Sequence, residues 1–372
     1  MNEVFIVRAK RTVIGQKRGL LANNRPEKLA AMVFHHLTDG IPFEQIDGVI
    51  LGNAVGEGGN IARLSLLEAG LSMSIPGTTI DGQCGSGLDA IITAARQIQV
   101  GAGEVYIAGG TESTSLEPER IPTNGLAPLT RARFSPETIG DPDMAVAAEN
   151  VATLYGISRE QQDAYAARSY ERAYIAEQEG RFRQEKIYEH RYLADEGIRK
   201  VSERLLKRMP SISNQAGSVT AINSCAKSDG AAAVLLMSKE ACERLGFDPI
   251  LTFIDGASAG CDPNLASFSP VPAIRKLLDR QKLRLDQVDL VEWNEAYAAQ
   301  MVACSQELNL DASKLNRSGG ALTLGHPYGA SGAINVVRLV HEMSSSGAKI
   351  GLSAVGAAGG NGTAALFYKS DV

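Results

Sequence analysis

The chain has 372 residues, of which 44% are hydrophobic, and its formal net charge is −5 at pH 7. A chain of this length can form two domains or one large layered unit with an ample core. The acidic balance and the lack of a long basic run argue against a nucleic-acid partner, and no apolar run approaches the roughly 20 residues that a membrane span needs.

The five cysteines are scattered along the sequence: Cys84, Cys225, Cys242, Cys261 and Cys304. Their odd number and the lack of paired spacing argue against a disulfide framework or a zinc site, so no metal is expected. Residues 1–13 lack the pattern of a signal peptide. We therefore expect a cytoplasmic protein with neither a membrane nor a nucleic-acid partner.

Apolar periodicity predicts the regular elements in chain order. The predicted strands are 4–7, 75–80, 104–108, 231–237, 288–291 and 349–355, and the predicted helices are 27–37, 88–100, 144–155 and 158–180. A capping box of Ser158 and Gln161 marks the start of the last helix. Residues 114–143 contain five prolines and little periodicity, which predicts a long loop that is either functional or disordered.

The chain contains an internal repeat. The segment 44–54 is echoed by 286–296, because both run from Gln, a β-branched residue and Asp into an apolar strand. The segment 85–91 is echoed by 330–336 at a similar distance further along the chain. Two similar halves of alternating strands and helices imply a duplicated α/β unit with mostly parallel sheets.

Cys84 lies in the segment Asp-Gly-Gln-Cys-Gly-Ser-Gly-Leu, between a predicted strand and a predicted helix. Unpaired N–H groups and the positive dipole end at a helix N-terminus lower the pKa of a thiol and favour the thiolate. The position therefore suits a nucleophilic cysteine. It also fits an inert buried cysteine, and the residues of this turn alone do not separate the two.

Two further segments supply partners for a nucleophile. His326 is the only one of the five histidines in a glycine-rich loop, which we predict to be another turn from strand to helix. A nucleophilic cysteine needs a base, and the base can come from a distant part of the sequence. Asn294 and Glu295 follow the predicted strand 288–291 and place an amide and a carboxylate at its end.

Three motifs together resemble the thiolase family in order and spacing: the cysteine turn, Asn-Glu-Ala-aromatic-Ala at 294–298 and Gly-His-Pro-x-Gly-Ala-Ser-Gly at 325–332. The resemblance implies a five-layer αβαβα fold of two repeated halves, 1–248 and 249–372, with an inserted loop domain at about 114–220. In the family the inserted region binds coenzyme A and contributes to assembly. A homodimer is therefore expected, whereas the prolinic loop is shorter than in common biosynthetic members and leaves a homotetramer open.

The resemblance also implies a role for each site residue. As a thiolate, Cys84 would attack the carbonyl carbon of an acyl-CoA and form an acyl-enzyme, with His326 as its base and as a donor to the thioester oxygen. Asn294 would hold a water that joins His326 in one oxyanion site, and backbone N–H groups of Cys84 and of one residue in 357–360 would form the other. Glu295 is expected to orient its neighbours rather than to carry a proton. Coenzyme A thioesters are then substrates, and no separate cofactor is expected.

The segment 220–232 resembles the family's run near the pantetheine arm of coenzyme A, with departures that include Ser224, Cys225 and Ala226. We expect these three residues and Leu206 to contact the coenzyme. Without the resemblance, the same segment is a plain turn before a strand.

One position departs from the family in a way that bears on the reaction. Gly356 stands where the family's second catalytic cysteine is expected, and glycine cannot carry a proton. General acid–base help is typically worth about 10²–10⁴ in rate, so we expect the Claisen and thiolysis step to be impaired while acylation of Cys84 persists. The sequence leaves open whether a water or Cys304 takes the vacant role.

Three functions fit these residues. The first is an acyltransferase resembling acetyl-CoA C-acetyltransferase, which acts on acetyl-CoA or another acyl-CoA and has low activity in the second step. The second is an acyl-transfer or decarboxylative condensing enzyme that uses Cys84, His326 and Asn294. The third is a non-catalytic acyl-CoA-binding or scaffold subunit.

Overall fold

The computed structural model of the chain describes residues 1–123, 128–191, 193–214 and 216–370. Its strands are β1 Val4–Arg11, β2 Gly15–Gln16, β3 Gly48–Gly52, β4 Gly77–Ile80, β5 Val105–Ser113, β6 Ser228–Ser238, β7 Leu251–Gly260, β8 Leu290–Trp293, β9 Ile350–Ala357 and β10 Asn361–Lys369. Its α-helices are α1 Pro26–Leu37, α2 Ile61–Glu68, α3 Ser86–Gln99, α4 Met144–Leu154, α5 Arg159–Gln178, α6 Glu203–Arg208, α7 Lys239–Leu245, α8 Pro270–Gln281, α9 Ala298–Glu307, α10 Ala321–Leu324 and α11 Tyr328–Ser345.

The strands follow the order β4-β3-β5-β6-β1-β7-β10-β9-β8, with β2 paired to β6. The pairs β3/β4, β3/β5 and β8/β9 are parallel, because helices connect these strands along the chain. The other pairs are antiparallel. The prediction of mostly parallel sheets is therefore wrong, since a tight turn joins β9 to β10 and distant segments such as β1 and β6 pair in opposite directions.

The strands divide into two halves, because β1 and β7 share only two residue pairs. Helices α3 and α11 pack against each other and form one core cluster with strand residues of both halves. A second cluster covers the other face of the N-terminal half beneath α1 and α2, and a third covers the other face of the C-terminal half beneath α8 and α9. The predicted five-layer αβαβα arrangement is confirmed.

The segment between β5 and β6 contains α4, α5 and α6. The Ser158 hydroxyl accepts the N–H of Gln161, and the Gln161 side chain accepts the N–H of Ser158. This confirms the predicted capping box at the start of α5. Within the described ranges, no helix combines the length and the apolar character needed to cross a membrane.

Candidate active site

Cys84 lies in the tight turn between β4 and α3. Gln83 has a φ of 55°, and Gly85 caps the helix. The Ser86 hydroxyl accepts the N–H of Gly82 at 2.9 Å and donates to the carbonyl of Gln83, which closes the turn around the cysteine. The thiol is therefore presented by a short, well-bonded segment at the start of a helix that packs in the central layer.

The electrostatic surroundings of Cys84 differ from the prediction. The pKa of the Cys84 thiol is raised to about 12, mainly by burial and to a smaller extent by the carboxylates of Glu112 and Asp81. The backbone N–H groups of Ala358 and of Cys84 itself act in the opposite direction. The expected low pKa from the helix N-terminus is thus wrong, because desolvation outweighs the helix and its N–H groups. A base must remove the proton as the sulfur reacts.

The two N–H groups at the sulfur are those expected for one oxyanion site. Ala358 follows β9 in the loop 357–360, and Gly359 beside it has a φ of 77°. The N–H of Ala358 reaches the Cys84 thiol from the C-terminal half, while the N–H of Cys84 comes from the N-terminal half. An anion that forms next to the sulfur would therefore meet donors from both halves of the fold.

His326 lies between two helices, α10 and α11, so the predicted strand before it is wrong. Gly320 caps α10, and Gly325, with a φ of 112°, ends it one residue before the histidine. The His326 N–H donates to the carbonyl of Ala226 at 2.9 Å and lies 3.2 Å from the Ser228 hydroxyl. The histidine backbone is therefore fixed on the segment that leads into β6.

Hydrogen bonds define the tautomer of His326. The Ser331 hydroxyl donates to the carbonyl of Pro327 at 3.1 Å and lies 2.5 Å from Nδ1 of His326. Because that hydroxyl proton is used, Nδ1 carries the hydrogen and Nε2 keeps its lone pair. Burial lowers the pKa of His326 to about 3, so the ring is neutral at ordinary pH and Nε2 can accept a proton.

Asn294 directs its amide toward this lone pair. It follows β8, its N–H donates to the carbonyl of Ala354, and its Nδ2 lies 3.5 Å from Nε2 of His326. Its Oδ1 is buried without a hydrogen-bond partner in the described part of the chain, and the residue borders a small internal cavity with Ser331 and Arg338. A buried polar atom beside such a cavity is suited to bind a water molecule.

Glu295 is held on all sides. Its carboxylate accepts hydrogen bonds from the Tyr165 hydroxyl at 2.8 Å, the Ser169 hydroxyl at 2.6 Å and Nδ2 of Asn316 at 2.9 Å. The residue is 1% exposed. Its placement supports the predicted orienting role, because α5 and the 316–322 segment anchor the loop that carries Asn294 through it.

The segment around Cys225 lies close to the segments that carry Cys84, Asn294 and His326. The Cys225 N–H donates to the carbonyl of Ala296 at 2.9 Å, and Ala226 accepts the N–H of His326. Burial raises the pKa of the Cys225 thiol, and the second cause is the neighbouring Cys84. The structure thus places Cys225 beside Cys84 and joins its segment by backbone hydrogen bonds to the segments that carry His326 and Asn294.

The other two predicted coenzyme contacts have different surroundings. The hydroxyl of Ser224 donates to the carbonyl of Thr220 at 2.7 Å and is buried. Leu206, on α6, is 4% exposed and packs in the C-terminal core cluster, where it also borders a surface cavity with Arg159 and Lys207. The contacts of Leu206 are therefore with the core and this cavity rather than with the residues around Cys84.

Two further residues near Cys84, Tyr328 and Glu112, were not predicted from the sequence. The Tyr328 ring packs edge-on against His326 with ring centroids 5.0 Å apart, and after burial the largest causes that raise its pKa are Cys225 and Cys84. Glu112 is the penultimate residue of β5 and the one charged residue of that strand. A carboxylate at the end of a fully buried strand was the signal in the sequence that could have identified it.

The start of helix α8 occupies the space beside Gly356. A Cβ at Gly356 would lie 3.0 Å from Cδ of Pro270 and 3.2 Å from the Ser269 hydroxyl. Cys304 is buried in α9, with its sulfur 3.9 Å from the Ser267 carbonyl, and after burial the pKa of its thiol responds to Cys261 rather than to Cys84. Cys304 has therefore not moved into the vacant role.

The comparisons with known proteins agree with this geometry. The family model of the thiolase N-terminal domain matches residues 4–240, and that of the thiolase C-terminal domain matches residues 247–369. A Bacillus subtilis (strain 168) protein provisionally named acetyl-CoA C-acetyltransferase YhfS is 48% identical over 371 residues, which cover 99% of each chain. A Staphylococcus aureus (strain MRSA252) protein provisionally named acetyl-CoA C-acetyltransferase VraB is 45% identical over 384 residues, covering 99% of this chain and 100% of its own.

Solved structures give the same result. The human mitochondrial 3-ketoacyl-CoA thiolase in complex with CoA has a TM-score of 0.93 and 33% identity, and the match covers 100% of this chain and 98% of that one. The Bacillus anthracis acetyl-CoA acetyltransferase has a TM-score of 0.92 and 35% identity, with coverage of 100% and 99%. Domain matches, relatives of full length and the shared fold together show that the chain belongs to the thiolase family.

Proposed function

We propose that the chain is an acetyl-CoA C-acetyltransferase-like enzyme that transfers the acyl group of acetyl-CoA, or of another acyl-CoA, through an acyl-Cys84 intermediate. The observation that carries the proposal is the environment of Cys84: a protonated thiol, two N–H groups at its sulfur, and the Tyr328 ring, which responds to Cys84 and packs edge-on against the neutral His326. The names of the two bacterial relatives and the bound CoA of the human structure support the choice of substrate.

The first half-reaction uses these groups in one sequence. Nε2 of His326 takes the thiol proton of Cys84 as the sulfur attacks the thioester carbonyl, and the negative charge develops on the carbonyl oxygen. Preorganised N–H donors stabilise such an oxyanion, and the loss of one donor typically costs about 10²–10³ in rate. The C–S bond to coenzyme A then breaks, and the proton on His326 passes to the departing thiolate.

We propose that the second half-reaction, thiolysis or Claisen condensation, is impaired. It needs a base for the thiol of coenzyme A or for the α-carbon of a second acyl thioester, and Gly356 cannot supply one. The contacts that Ser269 and Pro270 make with Gly356 support this, because they leave little room for a side chain there. Low turnover with rapid acylation is the expected kinetic pattern.

We further propose a homodimer assembled along β4, with a tetramer left open. This strand ends the sheet, so its outer backbone groups lack a partner strand within the described chain. The nearby Leu64, Leu67 and Met73 are exposed large apolar side chains. An unpaired edge beside apolar surface favours pairing with a second copy.

A second candidate function is acyl transfer coupled to decarboxylative condensation. It uses the same Cys84, His326 and Asn294 set and needs no second thiol, because loss of CO₂ from a malonyl group generates the carbanion. The restricted space beside Gly356 is the observation that favours it.

Intact-mass measurement after brief mixing with acetyl-CoA tests the acyl-enzyme. We expect the mass to rise by one acetyl group, and Cys84→Ala to abolish the increase. Coenzyme A binding without acylation would instead support the non-catalytic subunit. Malonyl-CoA in place of the second acetyl-CoA distinguishes the decarboxylative candidate, which alone would release CO₂.

A further inference from the structure

Glu112 is a fully buried carboxylate at the end of β5, and no catalytic step proposed above uses it. It accepts four N–H hydrogen bonds: from Nδ2 of Asn53 at 2.8 Å, from the backbone of Ala54 at 2.9 Å, from the backbone of Val55 at 3.3 Å and from the backbone of Gly329 at 2.9 Å. All four partners are donors. The site is therefore built for an ionised carboxylate, which accepts hydrogen bonds and donates none.

The donors come from two segments that are far apart in the sequence. Residues 53–55 form the turn after β3, and Gly329 lies in the first turn of α11, three residues after His326. A hydrogen bond from a helix N-terminus to a carboxylate is favoured by the unpaired N–H groups and by the dipole. Glu112 thereby fixes where the helix behind the histidine begins.

The same helix start touches the helix that carries Cys84. A Cβ at Gly87, in the first turn of α3, would lie 2.7 Å from the Gly329 carbonyl, and a Cβ at Gly110 would lie 1.9 Å from that oxygen. The two glycines therefore let the starts of α3 and α11 meet over β5 without side chains between them. Glu112 stands two residues from Gly110 and is thus close to both catalytic segments.

The charge of Glu112 acts on Cys84. Glu112 raises the pKa of the Cys84 thiol, as does Asp81 on the turn after β4. Burial raises the pKa of Glu112 itself to about 7, and the charge of Asp81 also raises it. Within the described residues, no Lys or Arg side chain forms an ion pair with Glu112 that would cancel its charge.

We propose that Glu112 is a positioning residue, which locks the start of the His326 helix onto the turn after β3 and whose charge adds to burial in disfavouring the Cys84 thiolate. The part of the proposal that concerns Cys84 rests on the proposed function, in which His326 removes the thiol proton. It assigns the carboxylate two effects of opposite sign: it assists acylation through geometry and suppresses the free thiolate through charge.

Two measurements on Glu112→Gln separate these effects. Glutamine keeps the shape of the side chain but removes its charge and turns one acceptor into a donor, so acylation reports the geometry and alkylation reports the charge. We expect acetyl-Cys84 to form on the order of tenfold to a hundredfold more slowly, with little change in the KM for acetyl-CoA. Alkylation of Cys84 by iodoacetamide at pH 9, followed at its own peptide, should become about threefold to tenfold faster. The ratio of the alkylation rates of variant and parent should approach one as the pH falls from 9 to 6, because Glu112 in the parent protein also becomes neutral.

Glu292→Gln is the matched control. Glu292 is also buried with its pKa raised to about 7, but its partner is Arg338 and it has no contact with the 53–55 turn. It should leave the alkylation rate of Cys84 unchanged. If Glu112→Gln does not fold, Asn53→Ala removes one donor and keeps the charge, so acylation should slow without faster alkylation.

The proposal is overturned if Glu112→Gln alkylates at the parental rate, or if it acylates at the parental rate. It is also overturned if Glu292→Gln accelerates alkylation equally, because the effect would then be general loosening. Alkylation requires no acyl transfer. Faster alkylation of Glu112→Gln would therefore support the charge effect even if the parent protein never formed acetyl-Cys84. The missing acetyl-Cys84 would refute the proposed function only.

Discussion

At the scale of single residues, catalysis depends on which atoms hold protons. Cys84 keeps its hydrogen because burial disfavours the thiolate, and His326 stays neutral because burial disfavours the imidazolium. The resting pocket therefore keeps its proton on sulfur and leaves the lone pair of Nε2 free. Both pKa shifts oppose a free thiolate–imidazolium pair, so the proton transfer has to occur together with the attack on the thioester. The sequence motifs identified both residues but predicted the opposite pKa shift for the thiol, because desolvation depends on what the distant segments bring to the turn.

Ser331→Ala tests the tautomer assignment. Without the hydroxyl, Nδ1 loses its acceptor at 2.5 Å and the ring can carry its hydrogen on Nε2, where it cannot act as the base. We expect acetyl-Cys84 to form about tenfold to a hundredfold more slowly, as is typical when a partner that orients a histidine is removed. Ser344→Ala is the control, because Ser344 also lies on α11 and donates to the carbonyl four residues back. Equal effects of the two substitutions would contradict the assignment.

The buried histidine also makes stability depend on pH. Burial lowers the pKa of His326 to about 3, against about 6.5 in the unfolded chain. Between these values the unfolded state binds more protons, so the free energy of unfolding decreases as the pH falls below 6.5. The loss from this residue at pH 4.5 should be about 2 kcal/mol. Urea unfolding at pH 7 and pH 4.5 measures this loss. The free energy of unfolding should differ less between the two pH values in His326→Gln than in the parent protein, and an equal difference would refute the pKa shift.

At the scale of elements, hydrophobic periodicity located the helices of the central layer and the strands beside them. Helix α3 begins at Ser86, two residues earlier than the predicted start at Leu88, and the capping box begins α5 as predicted. The pattern did not reveal α10, because its four residues are too few to show a helical period. It also could not give strand direction, which depends on the pairing of distant segments such as β1 and β6 rather than on local sequence.

The contact of the α8 start with β9 makes a prediction about Gly356. Gly356→Cys should lower the free energy of unfolding by about 1–3 kcal/mol, because its Cβ would meet Ser269 and Pro270 at 3.0–3.2 Å. Thiolysis of acetoacetyl-CoA should therefore recover further in Gly356→Cys with Ser269→Gly than in Gly356→Cys alone. Gly260→Ala is the control, because its Cβ would meet no atom within 4 Å. If Gly356→Cys alone recovered thiolysis fully, Ser269 and Pro270 would be shown to move aside at little cost.

At the scale of the whole molecule, the two halves meet at the catalytic residues. Cys84 belongs to the N-terminal half, whereas Asn294, His326 and Ala358 belong to the C-terminal half. The repeat and the motif order made this architecture predictable, and they indicated the residues that we propose as catalytic. Glu112 and Tyr328 were not predictable in the same way, because their roles arise from the packing of α3 against α11 and no motif marks them.

The proposed dimer is tested at the exposed edge beside β4. Met73→Lys and Leu67→Lys place charges on apolar side chains that are 80% and 42% exposed. If a second copy covers this edge, sedimentation velocity should show the dimer shifting toward monomer, since burying an unpaired charge is costly. Leu154→Lys, at a residue 61% exposed at the end of α4, should leave the dimer intact. The same mass distribution for all three variants would place the interface elsewhere.

The contact between Gly356 and the start of α8 also has an evolutionary consequence. Any codon change that gives position 356 a side chain meets Ser269 and Pro270 at once, before a selective benefit in catalysis can appear. The favourable order is a change at 269 first, which by itself confers no catalytic gain. A second thiol at this point is therefore expected to be accepted more readily after a change at position 269 than before it.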